Sequence, residues 1–166
     1  MLYWPSFYLS VLSLPFLITG LEKFVDENTV GLKNEFDDVC LSVKFRVEIL
    51  NLQFNNTAAV PFDLAEGNVT GKCARESRSS AILSSTISHD ERTKKLKFIF
   101  GIKEMRVKKV DELRWQLRKI VYSETFEGDS AVFESDNSSV IFSAPLNQKY
   151  VCKDRINVTL RSDEFK

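Results

Sequence analysis

Apolar and polar side chains alternate along several short stretches of this 166-residue chain. The clearest stretch is 41–49, in which every second residue from Leu41 to Ile49 is apolar and the residues between them are polar or charged. Successive side chains of a β-strand point to opposite faces of the sheet, so this period predicts a half-buried strand. The same pattern recurs at 96–102, 113–117 and 156–160, and more weakly at 81–88 and 140–142.

Beyond Leu117 the alternation changes parity and continues at Ile120 and Tyr122. One inserted residue, as in a β-bulge, would produce this shift. No stretch keeps apolar residues at a spacing of three and four for long enough to predict a helix. Short strands separated by turns rich in Asn, Gly, Ser and Asp predict an all-β fold, an antiparallel two-sheet sandwich or a similar arrangement.

The composition is that of a folded domain, with 43% hydrophobic and 28% charged residues. The 23 Lys and Arg residues balance 23 Asp and Glu residues, and this zero net charge argues against a general nucleic-acid binder. The only histidine is His89. A metal centre or an acid–base dyad that needs two histidines therefore cannot be built.

The first residues predict a secretory signal. Residues 7–18 form an apolar run, and no ionisable side chain occurs before Glu22. The run is too short for a transmembrane helix, which needs about 20 apolar residues. It is typical of a signal peptide over residues 1–20, cleaved after small residues. A buried pair of hydrophobic strands is the alternative interpretation.

The remaining chain is long enough for one domain with one core. Residues 21–38 are polar and irregular, and they predict a short leader. Residues 39–166 hold all the alternating stretches and all three cysteines. They are therefore expected to form the domain.

Four Asn-x-Ser/Thr sequons support passage through the secretory pathway, where such sequons accept N-linked glycans. They begin at Asn55, Asn68, Asn137 and Asn157. Because a glycan is bulky and solvated, each of these asparagines is predicted to face water. Asn157 fits this prediction, since it occupies a polar position of the alternating stretch 156–160.

The three cysteines are an odd number, whereas cysteines in an oxidising compartment mostly pair. Cys40 opens the first predicted strand and Cys73 follows a turn, and both positions are compatible with a bridge between them. Cys152 then is a free or intermolecular thiol, or its partner lies beyond Lys166. Three buried reduced cysteines in a cytosolic protein would conflict with the signal and the sequons.

Taken together, segments spread over residues 40–160 resemble the luminal domain of the lysosome-associated membrane glycoprotein (LAMP) family. The most specific of them is the run from Ala144-Pro145 through Tyr150-Val151-Cys152. The others are Cys40-Leu41 with the strand behind it, Asn56-Thr57 through Phe62-Asp63-Leu64, Gly71-Lys72-Cys73, Leu96–Phe100 and Val158-Thr159-Leu160. Residues 115–122 are most similar to the short, single-domain, brain-type members of the family.

The resemblance implies a two-sheet β-prism, a Cys40–Cys73 disulfide and a second disulfide from Cys152 to a later cysteine. It also implies a transmembrane helix and a short cytosolic sorting tail. This sequence departs from the family because it ends at Lys166, without a fourth cysteine or a membrane span. A truncated record or an alternative transcript would account for both departures, and a truncated C-terminus is therefore expected.

No group of residues in the sequence predicts catalysis. Ser88, His89 and Asp90 are contiguous in a predicted turn, and contiguous residues cannot converge on one atom as a catalytic triad does. No spacing fits a zinc site, a calcium loop or a phosphate-binding loop. We therefore expect no catalytic residue, no metal, no cofactor and no small-molecule substrate.

One charged region is a candidate binding surface. Residues 91–119 contain eleven basic and four acidic side chains. On the predicted strands Lys95 and Lys97 share the outward face, as do Arg114 and Arg118. Such a basic face suits sulfated glycans or an acidic partner loop. The alternative is the ordinary solvated side of an antiparallel sheet.

The resemblance implies a non-catalytic, glycosylated luminal domain that takes part in sorting membrane-protein cargo, with a vesicular transporter as one cargo class. The expected location is the secretory-pathway lumen, in endosomes, lysosomes or secretory and synaptic vesicles, or at the cell surface. A LAMP-like accessory subunit of the vacuolar proton pump is one alternative. A secreted recognition domain is another, should the C-terminus be genuine.

Overall fold

The computed structural model describes residues 23–26, 29–50, 59–74, 80–136, 140–151 and 155–162. Every regular element in these ranges is a β-strand, and every strand pairing is antiparallel. The predicted all-β class is confirmed. The predicted signal peptide at 1–20, the sequons at Asn55 and Asn137, and Cys152 lie outside the described residues.

The strands form three sheets. In chain order they are β1 (Lys23–Asp26), β2 (Thr29–Lys33), β3 (Val39–Val43), β4 (Val47–Ile49), β5 (Val60–Phe62), β6 (Asn68–Lys72), β7 (Ser80–His89), β8 (Arg92–Val107), β9 (Val110–Phe126), β10 (Asp129–Ser135), β11 (Phe142–Pro145) and β12 (Leu160–Arg161). The large sheet has the order β12-β10-β9-β8-β7-β6, while β1-β2-β3 and β4-β5 form two small sheets.

The centre of the large sheet is a long ribbon made by β8 and β9. One edge of β9 pairs with β8, and its other edge pairs with β11 over residues 114–117 and with β10 over residues 121–126. The two-residue turn between β8 and β9 consists of Lys108 and Lys109, which both have positive φ (51° and 71°). Positive φ at both central residues is the geometry of the tight hairpin turns that match strand twist.

The bulge expected after Leu117 is confirmed. Phe100 lies opposite Leu117 but the preceding residue, Ile99, lies opposite Lys119, so Arg118 is the extra residue. The Ile120 N–H beside the bulge donates a hydrogen bond to Ser135 Oγ at 2.9 Å. The insertion allows apolar residues on both sides of it to point into the core despite their shifted spacing.

The core collects apolar side chains from all three sheets. Its most buried members are Val30, Leu32, Val69, Leu83, Leu96, Phe98 and Leu117, each at most 2% exposed. Full burial of a side chain of this size contributes about 1.5–3 kcal/mol to stability. The same contacts hold the small sheets against one face of the large sheet.

A disulfide joins a small sheet to the large one. Cys40 in β3 is bonded to Cys73, which directly follows β6, and their Cα atoms are 5.8 Å apart. The Cys40–Cys73 pairing is therefore confirmed. Close by, Leu32 of β2 packs over Gly71 of β6, so an apolar contact adjoins the covalent link.

The prediction of one continuous strand over 41–49 is wrong, because two strands cover this stretch. The chain forms β3, which pairs with β2, and then β4, which pairs with β5. The exposed residues 44–46 connect the two strands and are not part of either sheet. Alternation persists through the break because Val43 is buried, and Val47 and Ile49 are packed against the core.

The irregular leader expected over 21–38 is also corrected, since this segment contains β1 and β2. Val30 and Leu32 are 0% and 1% exposed. Val30 and Leu32, one on each side of Gly31, make too short an alternation to identify a strand from the sequence. Tertiary packing on β6 makes this segment part of the core.

The last predicted strands differ in extent from the observed ones. Residues 155–159 are not in a strand, and β12 comprises only Leu160 and Arg161, opposite the last two residues of β10. Because β10 ends at Ser135, the residues before Leu160 have no partner on that strand. The weak strand expected at 140–142 is instead β11, which pairs with β9 from Phe142 onward.

Candidate basic binding face

The bulge decides which side chains of the ribbon face away from the core. In β8 the even-numbered Leu96, Phe98 and Phe100 are buried in the core, so the odd-numbered residues lie on the other side. In β9 the buried Leu117 and Tyr122 mark the core side before and after the bulge. The opposite side of the large sheet is here called the outer face.

Lys95 and Lys97 lie at the centre of the outer face. Lys95 is opposite Thr86 on one side and Ser123 on the other, and Lys97 is opposite Ser84. The Lys95 side chain is exposed and that of Lys97 is half-buried. Residues i and i+2 of a strand, such as Lys95 and Lys97, are about 6.6 Å apart. The two lysines are therefore neighbours on this face, and residues opposite them on the adjacent strands carry hydroxyl groups.

Arg118 lies on the same face, at the bulge. Its guanidinium lies over Gly101, where a Cβ would come within 2.6 Å of both Arg118 Nε and Cζ. Any larger residue at position 101 would fill the space that the guanidinium occupies. Glycine at this position therefore lets Arg118 lie across β8 while its side chain remains exposed.

Arg114 lies on this face but is engaged in structural contacts. It forms an ion pair with Glu112 and donates to the backbone oxygen of Ser143 at 3.3 Å, which links β9 to β11. Only 19% of its side chain is exposed. Arg114 therefore adds positive charge to the face, with part of that charge offset by the Glu112 carboxylate.

Two further cations of this face were not predicted from the sequence. Lys103 is directly opposite Arg114, and Lys119 is opposite Ile99 and forms an ion pair with Glu134 of β10. Continuing the odd-numbered positions of β8 would have placed Lys103. Lys119 could be placed on the outer face only by allowing for the bulge, because uninterrupted alternation from Leu117 would direct its side chain towards the core.

These side chains define one surface, here called the basic stripe, which follows the ribbon along its outer face. Its members are Lys95, Lys97, Lys103, Arg114, Arg118 and Lys119. Gln116 lies between Arg114 and Arg118 but is only 2% exposed, and its Nε2 donates to Met105 Sδ at 3.1 Å. Gln116 is therefore packed within the sheet surface and does not add an exposed polar group to the stripe.

The remaining predicted residues are distributed elsewhere. Asn68 and Asn157, the two described sequon asparagines, are both exposed, as glycan acceptors must be. His89 Nδ1 lies 2.8 Å from Asp90, with both side chains more than 80% exposed at the turn between β7 and β8. The Ser88 hydroxyl is 3.2 Å from that of Thr93, so it is directed away from this pair.

One buried titratable group lies on the core side of the ribbon. Burial raises the pKa of the Tyr122 phenol above its usual value, and the nearby Glu124 carboxylate raises it further. The phenol donates a hydrogen bond to Glu124 Oε2 at 3.1 Å. Tyr122 therefore stays protonated in the folded protein at pH values where an exposed tyrosine would ionise.

Among the described residues no group of three or more His, Cys, Asp and Glu side chains is arranged to hold a metal ion. The same residues contain no helix that is both long and apolar enough to cross a membrane. No family model, curated protein or solved structure matches this chain.

Proposed function

We propose that this chain is the non-catalytic, N-glycosylated luminal domain of a LAMP-like membrane protein. In this proposal the sheets belong to a two-sheet β-prism, and the domain sorts membrane-protein cargo, such as a vesicular transporter. The domain acts in endosomal, lysosomal or secretory-vesicle membranes. The LAMP resemblance supplies the cargo class and the location.

The disulfide between Cys40 and Cys73 is the observation that carries the proposal. Structural disulfides persist in oxidising compartments and are rare in the cytosol. This one links a small sheet to the large one across 33 residues of chain. It is therefore a structural staple of the kind that secreted and luminal domains use.

The exposed sequons support the same compartment. Asn68 begins β6 at the edge of the large sheet, and Asn157 lies in the segment before β12. Both asparagines are exposed. A glycan at either position would extend into solvent without displacing core side chains.

The shape and charge of the outer face favour recognition of a partner by surface contact. The basic stripe is a sheet surface with exposed cations, and the buried aromatic side chains of the ribbon, Phe98, Phe100 and Tyr122, lie on the core side. A sorting role needs such an accessible surface and does not need a catalytic group. The proposed function therefore assigns recognition to protein surface.

Depletion of the protein from secretory cells tests the sorting role. A vesicular transporter should leave its vesicle population and accumulate at the cell surface, and the intact chain should restore it. A Cys40→Ser/Cys73→Ser variant is expected to restore it poorly because the staple between sheets is lost. An unchanged transporter distribution would contradict the role. Co-purification with vacuolar pump subunits in mild detergent would instead support the accessory-subunit alternative.

A further inference from the structure

Positive charge on the outer face is not neutralised, although the chain as a whole has equal numbers of acidic and basic residues. The only acidic side chains facing this side from β6 to β10 are Glu112 and Glu134, which already pair with Arg114 and Lys119. Within the described residues no ion pair involves Lys95, Lys97, Lys103 or Arg118. These four cations are therefore available to an external anion.

The available cations follow one line. Lys95, Lys97 and Lys103 lie on the same side of β8, and Arg118 crosses β8 at Gly101, between Lys97 and Lys103. Eight residues of extended strand span about 26 Å. A linear polyanion can contact all four cations at once, whereas a compact anion can contact only one or two.

The other side chains of this face indicate what kind of polyanion fits. None of the described strand positions on the outer face carries an aromatic side chain, since Phe98, Trp115 and Tyr122 all lie on the core side. Energetically dominant protein contacts are enriched in aromatic anchors. An interface without them, based on Lys and Arg charges, suits charged groups on a flexible polar chain.

Hydroxyl groups complement the charges. Thr86 of β7 lies on one side of Lys95 and Ser123 of β9 lies on the other, and both are half-buried, whereas Ser84 beside Lys97 is only 4% exposed. Hydroxyl donors and ammonium groups together can bind sulfate and carboxylate oxygens. The Arg118 guanidinium, farther along β8 over Gly101, can bind one sulfate with two parallel hydrogen bonds.

We propose that the basic stripe binds a linear sulfated polysaccharide, with Lys95, Lys97, Lys103 and Arg118 contacting its sulfate and carboxylate groups. The inference rests on the proposed function only for its biological setting, the secretory-pathway lumen, where sulfated polysaccharides occur. Binding by the isolated protein does not depend on any sorting role.

Calorimetric titration of the purified full chain with a defined heparin oligosaccharide tests the proposal. The triple variant Lys95→Gln/Lys97→Gln/Arg118→Gln should bind on the order of tenfold to a hundredfold more weakly than wild type. Its affinity should also depend less steeply on salt concentration, because fewer counterions are released. Both wild type and variant are first compared by thermal unfolding.

A matched control removes the same charge elsewhere. Lys44→Gln/Arg46→Gln/Lys108→Gln changes three exposed cations that lie outside the stripe. This variant should keep its affinity within about twofold, because charges beyond a Debye length of roughly 8–10 Å are screened. Equal weakening of both triple variants would overturn the stripe as the site and leave only net charge.

A charge-preserving variant separates loss of binding from loss of folding. Lys95→Arg/Lys97→Arg keeps both cations and should retain binding, whereas loss of binding in a folded Lys→Arg variant would contradict the electrostatic account. Polyglutamate of equal charge and vesicles containing anionic phospholipid are compared in the same titration. Binding of either as tightly as heparin would overturn the assignment to a sulfated polysaccharide. Failure of these titrations would leave the transporter-sorting test unaffected.

Discussion

Gly71 and Gly101 both lie in the large sheet, and an alanine at each position would meet different neighbours. A Cβ at Gly71 would collide with the backbone oxygen of Ile82 and approach Leu32 Cδ1 to 2.7 Å. A Cβ at Gly101 would meet the end of the Arg118 side chain. Backbone and core atoms cannot move as cheaply as an exposed guanidinium.

Gly71→Ala should therefore destabilise the protein by about 1–3 kcal/mol, as overpacking of a core typically does. Gly101→Ala should cost less than about 1 kcal/mol, because Arg118 can rotate into solvent. Urea denaturation of the two single variants measures both free energies of unfolding. A Gly101→Ala variant that is the more damaged of the two would contradict the described contacts.

Tyr122 provides a test of stability against pH. In the unfolded chain its phenol ionises near pH 10, while burial and Glu124 keep the phenol of the folded protein protonated to higher pH. The unfolded state then binds fewer protons than the folded state, so the stability contributed by Tyr122 is lost as pH rises above 10. Tyr122→Phe should show a smaller loss of unfolding free energy between pH 9 and about 11. Parallel curves for the two proteins would contradict the raised pKa.

At the scale of the element, the bulge in β9 is a single extra residue, and the effect of removing it on stability can be predicted. Deleting Arg118 leaves Leu117 opposite Phe100 and Lys119 opposite Ile99, so every other side chain keeps its face. The core should therefore survive, with stability changed by about 1 kcal/mol or less. Thermal and urea unfolding measure the change.

Deleting Gln116 is the matched control, since it shortens the same strand by one residue. Because Gln116 lies on the far side of Leu117 from the bulge, the shorter strand must turn either Leu117 or Trp115 onto the outer face. Loss of one such buried side chain should cost at least about 2–3 kcal/mol. Equal tolerance of both deletions would contradict the observed register.

The bulge is a feature of the strands that can be predicted from the sequence, whereas the break between β3 and β4 is not. A change of parity between Leu117 and Ile120 is visible in the sequence because the apolar residues on both sides of it are buried against one core. The split between β3 and β4 is not visible, because Val43 and Val47 keep their alternation while the chain changes its sheet partner. Strand pairing is a long-range property that a local pattern does not contain.

The candidate site could be predicted only in part, because a local pattern gives the face of a side chain but not its neighbours on other strands. The outward direction of Lys95 and Lys97 follows from a simple period, and so does that of Arg114 and Arg118. The position of Arg118 across Gly101 depends on which residue of β8 is opposite, and that register is not encoded within either strand alone. The ion pairs of Arg114 and Lys119 likewise need three-dimensional neighbours.

At the scale of the whole molecule, the disulfide holds sheets that share one core. Closing a loop of 33 residues should stabilise the folded state by roughly 3–4 kcal/mol according to the loop-entropy model. Cys40→Ala/Cys73→Ala should lower the unfolding free energy by about this amount. Cys152→Ala is the control, because Cys152 is not part of the Cys40–Cys73 bond. A larger loss from Cys152→Ala would contradict the pairing described.

Passage through the secretory pathway is the central claim of the account, and glycosylation tests it most directly. The full chain is expressed in animal cells and compared on non-reducing gels before and after treatment with an N-glycosidase, beside Asn68→Gln and Asn157→Gln variants. We expect a glycosidase-sensitive protein with the Cys40–Cys73 bond formed, and a smaller mass for each asparagine variant that loses an occupied sequon. A cytosolic, unglycosylated protein with reduced Cys40 and Cys73 would contradict it.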